Sequence, residues 1–306
     1  MATRQLENRK VAVIGLDGIT ATEIYSLFVS GRIRNVVLAG AGAKQLIREF
    51  RELRAMVPLS SPVTLTQGSI EDCAAAEIAV IFGSAHAGCA TLVDRRRSAE
   101  SIRRAVDSLV RTKFSGIILV TGSPIELLVR VAVEASAFPI EKVFGIGNRT
   151  DLAAVVERIS SRRETSPAKA PIYAGTELPK GWCTAASSEV RYVDTCSADC
   201  PFFESLMSSA GVSRPYIEES RPRSPQKLAA CVTQVCESVI DDLHTATPVF
   251  VYDDGIVAPR TCVITRDGLA NGLPNPAESE SARERAAAET IWSMVITDRL
   301  SEARFA

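Results

Sequence analysis

The stretch KVAVIGLDGIT, residues 10–20, decides how the rest of the chain is read. Val11 to Ile14 form a short apolar run of the kind a buried strand needs. Gly15 ends the run and permits a tight turn. From Thr20 to Val29 the pattern turns helical. Strand, glycine turn and helix in this order open a βαβ unit. The usual form of that turn carries three glycines, whereas this one carries Gly15, Asp17, Gly18 and Thr20.

The same alternation continues outward. Strand-like runs lie at Val11–Gly15, Asn35–Ala39, Val63–Thr66, Glu77–Phe82, Gly116–Thr121 and Lys142–Gly145. Helical patterns between them cover Thr20–Val29, Lys44–Met56, Ser98–Thr112 and Pro124–Ser136. Such alternation predicts a parallel sheet with helices on both faces, a doubly wound Rossmann-type α/β domain. Its ligand crevice belongs at the carboxyl ends of the strands. A helix over Thr150–Arg162 runs into SSRRETSPAKAP, residues 160–171, which is polar and proline-bearing. The sequence is therefore divided into residues 1–148, the Rossmann-type domain, and 149–306, a mixed α+β substrate domain. In the second part strands are expected at Val190–Asp194, Pro248–Tyr252 and Arg260–Thr265, and helices at Pro201–Ala210, Ser224–Leu243 and Ser279–Leu300.

Composition narrows the function classes. The 306 residues include 35 basic and 36 acidic side chains, so nothing argues for a nucleic-acid or anionic-membrane partner. MATRQLENRK at the start lacks the apolar core of a secretory leader, and no apolar run is long enough to span a bilayer. A cytoplasmic location is expected, with the eight cysteines reduced. No CxxC occurs, and neither Cys196/Cys200 nor Cys231/Cys236 has a neighbouring histidine, so no metal site is expected.

Several segments, in order, resemble the lactate/malate dehydrogenase superfamily. GSIEDCAAAEIAVIFGSA (68–85) is similar to the family's fourth-strand segment, and FSGIILVTGSPIELL (114–128) to its fifth strand and Asn-Pro turn. FPIEKVFGIGNRTDLAAV (138–155) is similar to the sixth strand and the helix bearing the family's aspartate. GTELP (175–179) matches the residues that follow the catalytic histidine, and SPQKLAACVTQVCESVI (224–240) resembles the substrate-side helix. The resemblance implies the fold; function must be argued from the site.

It also implies a dinucleotide crevice, with departures. Gly15 keeps the turn, Asp17 brings a carboxylate to the second-glycine position, Gly18 fits a G-x-S-G-like variant, and Thr20 replaces the last glycine. Gly40 stands where NAD-specific members carry an aspartate for the ribose hydroxyls, and Lys44 lies where a 2′-phosphate would be met. NADP is therefore expected over NAD if a dinucleotide is held, and Gly40→Asp is expected to move preference toward NADH. The alternative is a vestigial loop with a solvated lysine.

The catalytic set departs further. Asp151 matches the family's aspartate, but Tyr173 stands in the histidine's place and Ala154 in that of the carboxylate-clamping arginine. A tyrosine titrates near about 10 and is a poor base at neutral pH. In the loop HAGCATLVDRRRS (86–98), Thr91 or Leu92 takes the polarising arginine's place, and Arg95 would serve only after a shift of register. Ser123 replaces the turn asparagine, while Ser224 keeps a hydroxyl at the substrate helix. Of two histidines, His244 reads as a solvated capping residue, and His86 lies at the crevice mouth near Cys89. Three readings follow. One is a diverged NAD(P)-linked or crevice-dependent enzyme on a non-standard small molecule, with Asp151, Tyr173, His86 and Ser224 as candidate catalytic residues. Another is a non-catalytic binding or scaffolding relative. The third is a working lactate or malate dehydrogenase, which Tyr173 and Ala154 disfavour.

The family's association into dimers or tetramers implies a homo-oligomer here. Leu228, Val232, Val235 and Val239 form a stripe at helical spacing that is expected partly at that interface, the bland alternative being the chain's own core.

Overall fold

A computed structural model describes residues 10–14, 21–29, 31–40, 47–48, 51, 64–83, 92–122, 125–146, 225–253 and 255–270. Six parallel strands form the centre: β1 (Lys10–Ile14), β2 (Asn35–Ala39), β3 (Thr64–Gly68), β4 (Ile78–Phe82), β5 (Ile117–Thr121) and β6 (Val143–Ile146). They are ordered β3-β2-β1-β4-β5-β6, with the reversal between β1 and β4. This is the doubly wound arrangement expected from the alternation. Side chains on the strands alternate between two apolar layers. Val11, Val13, Val36, Leu38, Val80 and Leu119 face one layer, and Ala12, Ile14, Val37, Ile81, Ile118 and Val120 face the other. The central strands are buried on both faces, which is why they read as unbroken apolar runs. Edge strand β3 is polar and mostly exposed.

Helices among these strands include α1 (Ala21–Val29), α2 (Leu92–Arg111) and α3 (Ile125–Ser136). Helix α1 covers the first layer through Ile24, Leu27 and Phe28; α2 and α3 cover the second through Ile102, Val106, Leu109, Leu128 and Val129. The start of α2 corrects the sequence reading. The helix begins at Leu92, so Leu92 and Arg95 belong to it and not to a loop running to residue 98. Leu, Val and Arg are compatible with a helix and no glycine or proline interrupts them, so Ser98 is no start signal. Its side chain is wholly buried inside the helix.

The second half adds α4 (Pro225–Asp241), β7 (Thr245–Asp253), β8 (Ile256–Thr265) and β9 (Gly268–Ala270). These strands extend the same sheet antiparallel beyond β6, giving nine strands in all among the described residues. Among the described residues β7 pairs with β6 at Gly145↔Phe250, whereas β7 and β8 pair along their length. Helix α4 packs on α1. Leu228, Val232, Val235 and Val239 lie in the chain's own core with Ile24, Leu27 and Phe28. The apolar stripe therefore faces the chain's own core, the alternative set beside an interface in the sequence analysis. Among the described elements, α1, Ile47 and α4 pack on this first face of the sheet.

Of the expected Lys44–Met56 helix, residues 47–48 and 51 are described and are helical. The expected elements at Thr150–Arg162, Val190–Asp194, Pro201–Ala210 and Ser279–Leu300 lie outside the described residues. No described helix is long and apolar enough to cross a membrane.

Candidate functional site

The strand register brings Ile14, Ala39, Phe82, Thr121 and Ile146 to one carboxyl edge of the sheet. The strand order reverses between β1 and β4, and the carboxyl edge at such a reversal is the place where sheets of this kind take ligands. The rim residues that follow the strands are small. Gly40 follows β2 and is exposed, with φ +112°. Gly83 and Gly122 follow β4 and β5. The backbone N–H of Gly83 donates to the Thr121 carbonyl at 2.7 Å, extending the β4–β5 pairing by one residue.

These last two glycines are required by close approach. A Cβ on Gly83 would lie 2.6 Å from Leu128 Cδ1 and 2.9 Å from Ser98 Oγ. A Cβ on Gly122, whose φ is +140°, would lie 2.5 Å from the same Leu128 atom and 3.1 Å from Gly83 Cα. Leu128 of α3 and Ser98 of α2 thus wedge against the two strand ends from behind. That contact anchors both helices to the crevice wall. Sequence reasoning passed over Gly83, Gly122, Ser98 and Leu128. A signal existed: FGSA (82–85) and TGSP (121–124) both place Gly-Ser directly after an apolar strand.

Among the predicted site residues, the structure describes Gly40, at the rim. Gly15, Asp17, Gly18, Thr20, Lys44, His86, Ser123, Asp151, Tyr173 and Ser224 lie outside the described residues. Several flank described elements. β1 ends one residue before Gly15, α1 starts one residue after Thr20, and α4 starts one residue after Ser224. His244 is exposed beyond the end of α4, where its Nδ1 lies 2.9 Å from the Asp242 carbonyl, as a local capping residue would. Cys73, Cys236 and Cys262 are buried among apolar side chains.

The described rim of glycines, Thr121 and apolar strand ends bears no carboxylate.

No family model matches the chain. An L-lactate dehydrogenase of Acetivibrio thermocellus is 31% identical over 147 residues, 47% of this chain and 46% of that protein, so the match spans less than half of that relative. An L-lactate dehydrogenase of Thermoanaerobacter sp. is 23% identical over 304 residues, covering 94% of this chain and 98% of the relative. A lactate dehydrogenase from a Medee basin deep-sea metagenome library has a solved structure that superposes with a TM-score of 0.74 at 18% identity, covering 94% of this chain and 97% of that one. The fold is a lactate dehydrogenase fold. A minor L-lactate dehydrogenase from Enterococcus mundtii gives the same result, with a TM-score of 0.72 at 15% identity over 94% and 98% of the two chains. The likeness supports the superfamily resemblance read from the sequence. At these identities the lactate dehydrogenase fold is carried over, while the chemistry has to be argued from this chain's own residues.

Proposed function

We propose that this lactate dehydrogenase-like chain holds an NAD(P)-type dinucleotide along the carboxyl edge of its sheet. In this reading it acts on a small molecule other than an ordinary 2-hydroxy acid. The observation that carries the reading is Gly40: an exposed residue with φ +112° at the end of β2, with no side chain where a ribose-binding carboxylate would stand. Lys44, four residues on, is the group proposed to pair with a 2′-phosphate. Gly15 and Gly18 would admit the pyrophosphate, and Ser123 would border the nicotinamide end. The cofactor would supply or accept the hydride; the protein's part is to bind and orient it.

Tyr173 in the histidine's place and Ala154 in the arginine's place support departure from the parent reaction. The same two residues favour the second reading, a binding relative without turnover. Fluorescence titration with NADPH and NADH is the first test. NADPH is expected to bind at least as tightly as NADH; a clear NADH preference overturns the cofactor assignment. Steady-state assays with pyruvate and oxaloacetate are the second. Neither is expected to be reduced at a rate typical of lactate or malate dehydrogenases. Efficient turnover that a crevice substitution abolishes would show that the parent chemistry survives.

A homodimer or homotetramer in the cytoplasm remains part of the proposal, on the family resemblance alone, with light scattering as its check. The helix proposed to contribute is the segment 44–56, since the apolar stripe of α4 is already covered.

A further inference from the structure

Helices α1 and α4 lie side by side over one face of the sheet, and their seam is apolar: Leu27 and Phe28 against Val232, Val235 and Val239. A polar contact interrupts it. Ser26 Oγ and Thr233 Oγ1 are hydrogen-bonded at 3.0 Å, with Thr233 buried and Ser26 half-buried. At the far end of the seam the Arg32 guanidinium is ion-paired with Asp241. Residue numbers rise together across these two contacts, so the helices run in the same direction.

That direction fixes where the helices begin. Helix α1 starts just past the carboxyl end of β1, at the crevice. Counting back from Ser26 to Ala21 gives about 7.5 Å of helix, and from Thr233 to Pro225 about 12 Å. The start of α4 therefore lies at the same crevice edge, about one turn beyond the start of α1. One start adjoins Thr20 of the glycine turn and the other adjoins Ser224.

An apolar seam alone tolerates sliding, because a shifted set of Val and Leu contacts buries similar area. A hydroxyl pair does not. A slide of one turn separates the two groups and leaves buried polar atoms to find other partners. We propose that the Ser26–Thr233 hydroxyl pair, backed by Arg32–Asp241, is a positioning device that locks the register of α4 on α1. The starts of the two helices, at Ala21 and Pro225, then move as one body. The proposal rests on the crevice reading only for its ligand; the mechanical coupling stands on the two contacts.

Hydrogen–deuterium exchange on the full chain tests it, read on peptides covering residues 21–25 and 225–230. Losing one hydrogen bond corresponds to roughly a fivefold change in a local opening equilibrium. Thr233→Val, which keeps the shape and removes the hydroxyl, is expected to speed exchange about that much in 21–25 as well as in 225–230. Ser26→Ala is expected to do the same from the other side. Helix α3 should be unchanged, and the hydroxyl-keeping Ser26→Thr and Thr233→Ser should exchange like the parent. A rise confined to the helix that carries the substitution overturns the proposal, as does an equal rise in α3. If Thr233→Val does not fold, Ser26→Ala at the half-buried partner decides. In a further arm NADPH is added. Protection in 21–25 that spreads to 225–230 in the parent and not in Ser26→Ala supports the coupling; protection confined to 21–25 in the parent counts against it. Absence of any NADPH protection counts against the dinucleotide reading, and the ligand-free exchange then judges the register lock by itself.

Discussion

Gly40 shows how a single backbone angle changes a design argument. From sequence alone, Gly40→Asp restores the carboxylate that prefers NADH. At φ +112° an L side chain is strained, so the substitution carries a backbone cost of about 1–3 kcal/mol. The expected outcome is a lower denaturation midpoint, and a gain in NADH affinity smaller than the lost carboxylate alone would imply. Urea titrations of the parent, Gly40→Ala and Gly40→Asp check this, since both substitutions should lose stability alike. A second residue gives a pH signature. Cys73 lies wholly buried, its thiol donating to the Ser69 carbonyl at 3.6 Å. Burial pushes that thiol up from 9.0 to about 11. An acid whose folded pKa is raised stabilises the fold fully below the unfolded value, and that contribution is lost as pH rises through the folded one. Stability should therefore fall between about pH 9 and 11. Cys73→Ala should flatten that limb, as followed by denaturant midpoints across the range.

At the scale of elements, the strands that cross the middle of the sheet were the most legible. Asn35–Ala39 was read with the observed bounds, and β1, β4, β5 and β6 within a residue at either end. Strands buried on both faces must be apolar throughout, and glycine or a polar turn bounds them. Two features resisted. The first turns of α2, LVDRRR, carry charge where a loop was expected, and the structure shows them to be helix. The three residues of β9 are too few for a period-two pattern to show, and they exist through pairing with β8. The site was less legible than the fold. Gly40 was found because a carboxylate was missing, whereas Gly83 and Gly122 are required by contacts with Leu128 and Ser98, far apart in sequence. The α1–α4 seam offers an energetic check on that packing. Leu27 is 2% exposed within it, so Leu27→Ala is expected to destabilise by about 2–5 kcal/mol. If the α4 stripe faced another subunit instead, Val235→Ala would change the mass seen by light scattering. With the stripe buried inside the chain, that variant should lose thermal stability and keep its mass.

At the scale of the whole molecule, the boundary placed after residue 148 meets a sheet that does not stop there. β7, β8 and β9 continue it, and α4 covers the face that α1 leaves open. Val249, Cys262 and Ile264 share one apolar layer with Phe144, Ile146, Leu119 and Val11. Removing residues 149–306 would expose that layer on β1, β4, β5 and β6, together with the inner side of α1. Among the described elements of residues 1–148, α1 and Ile47 cover only part of that layer, and burying the remainder is favourable by about 25 cal/mol per Å². A fragment of residues 1–148 is therefore expected to expose hydrophobic surface, binding an apolar dye and lacking a cooperative thermal transition. The full chain should unfold its described elements in one transition, read by calorimetry and by exchange on β1 and β8 together. A fragment that melts cooperatively with low dye binding would show instead that the Rossmann-type half is an independent folding unit and that α4 and β7–β9 are an attachment to it.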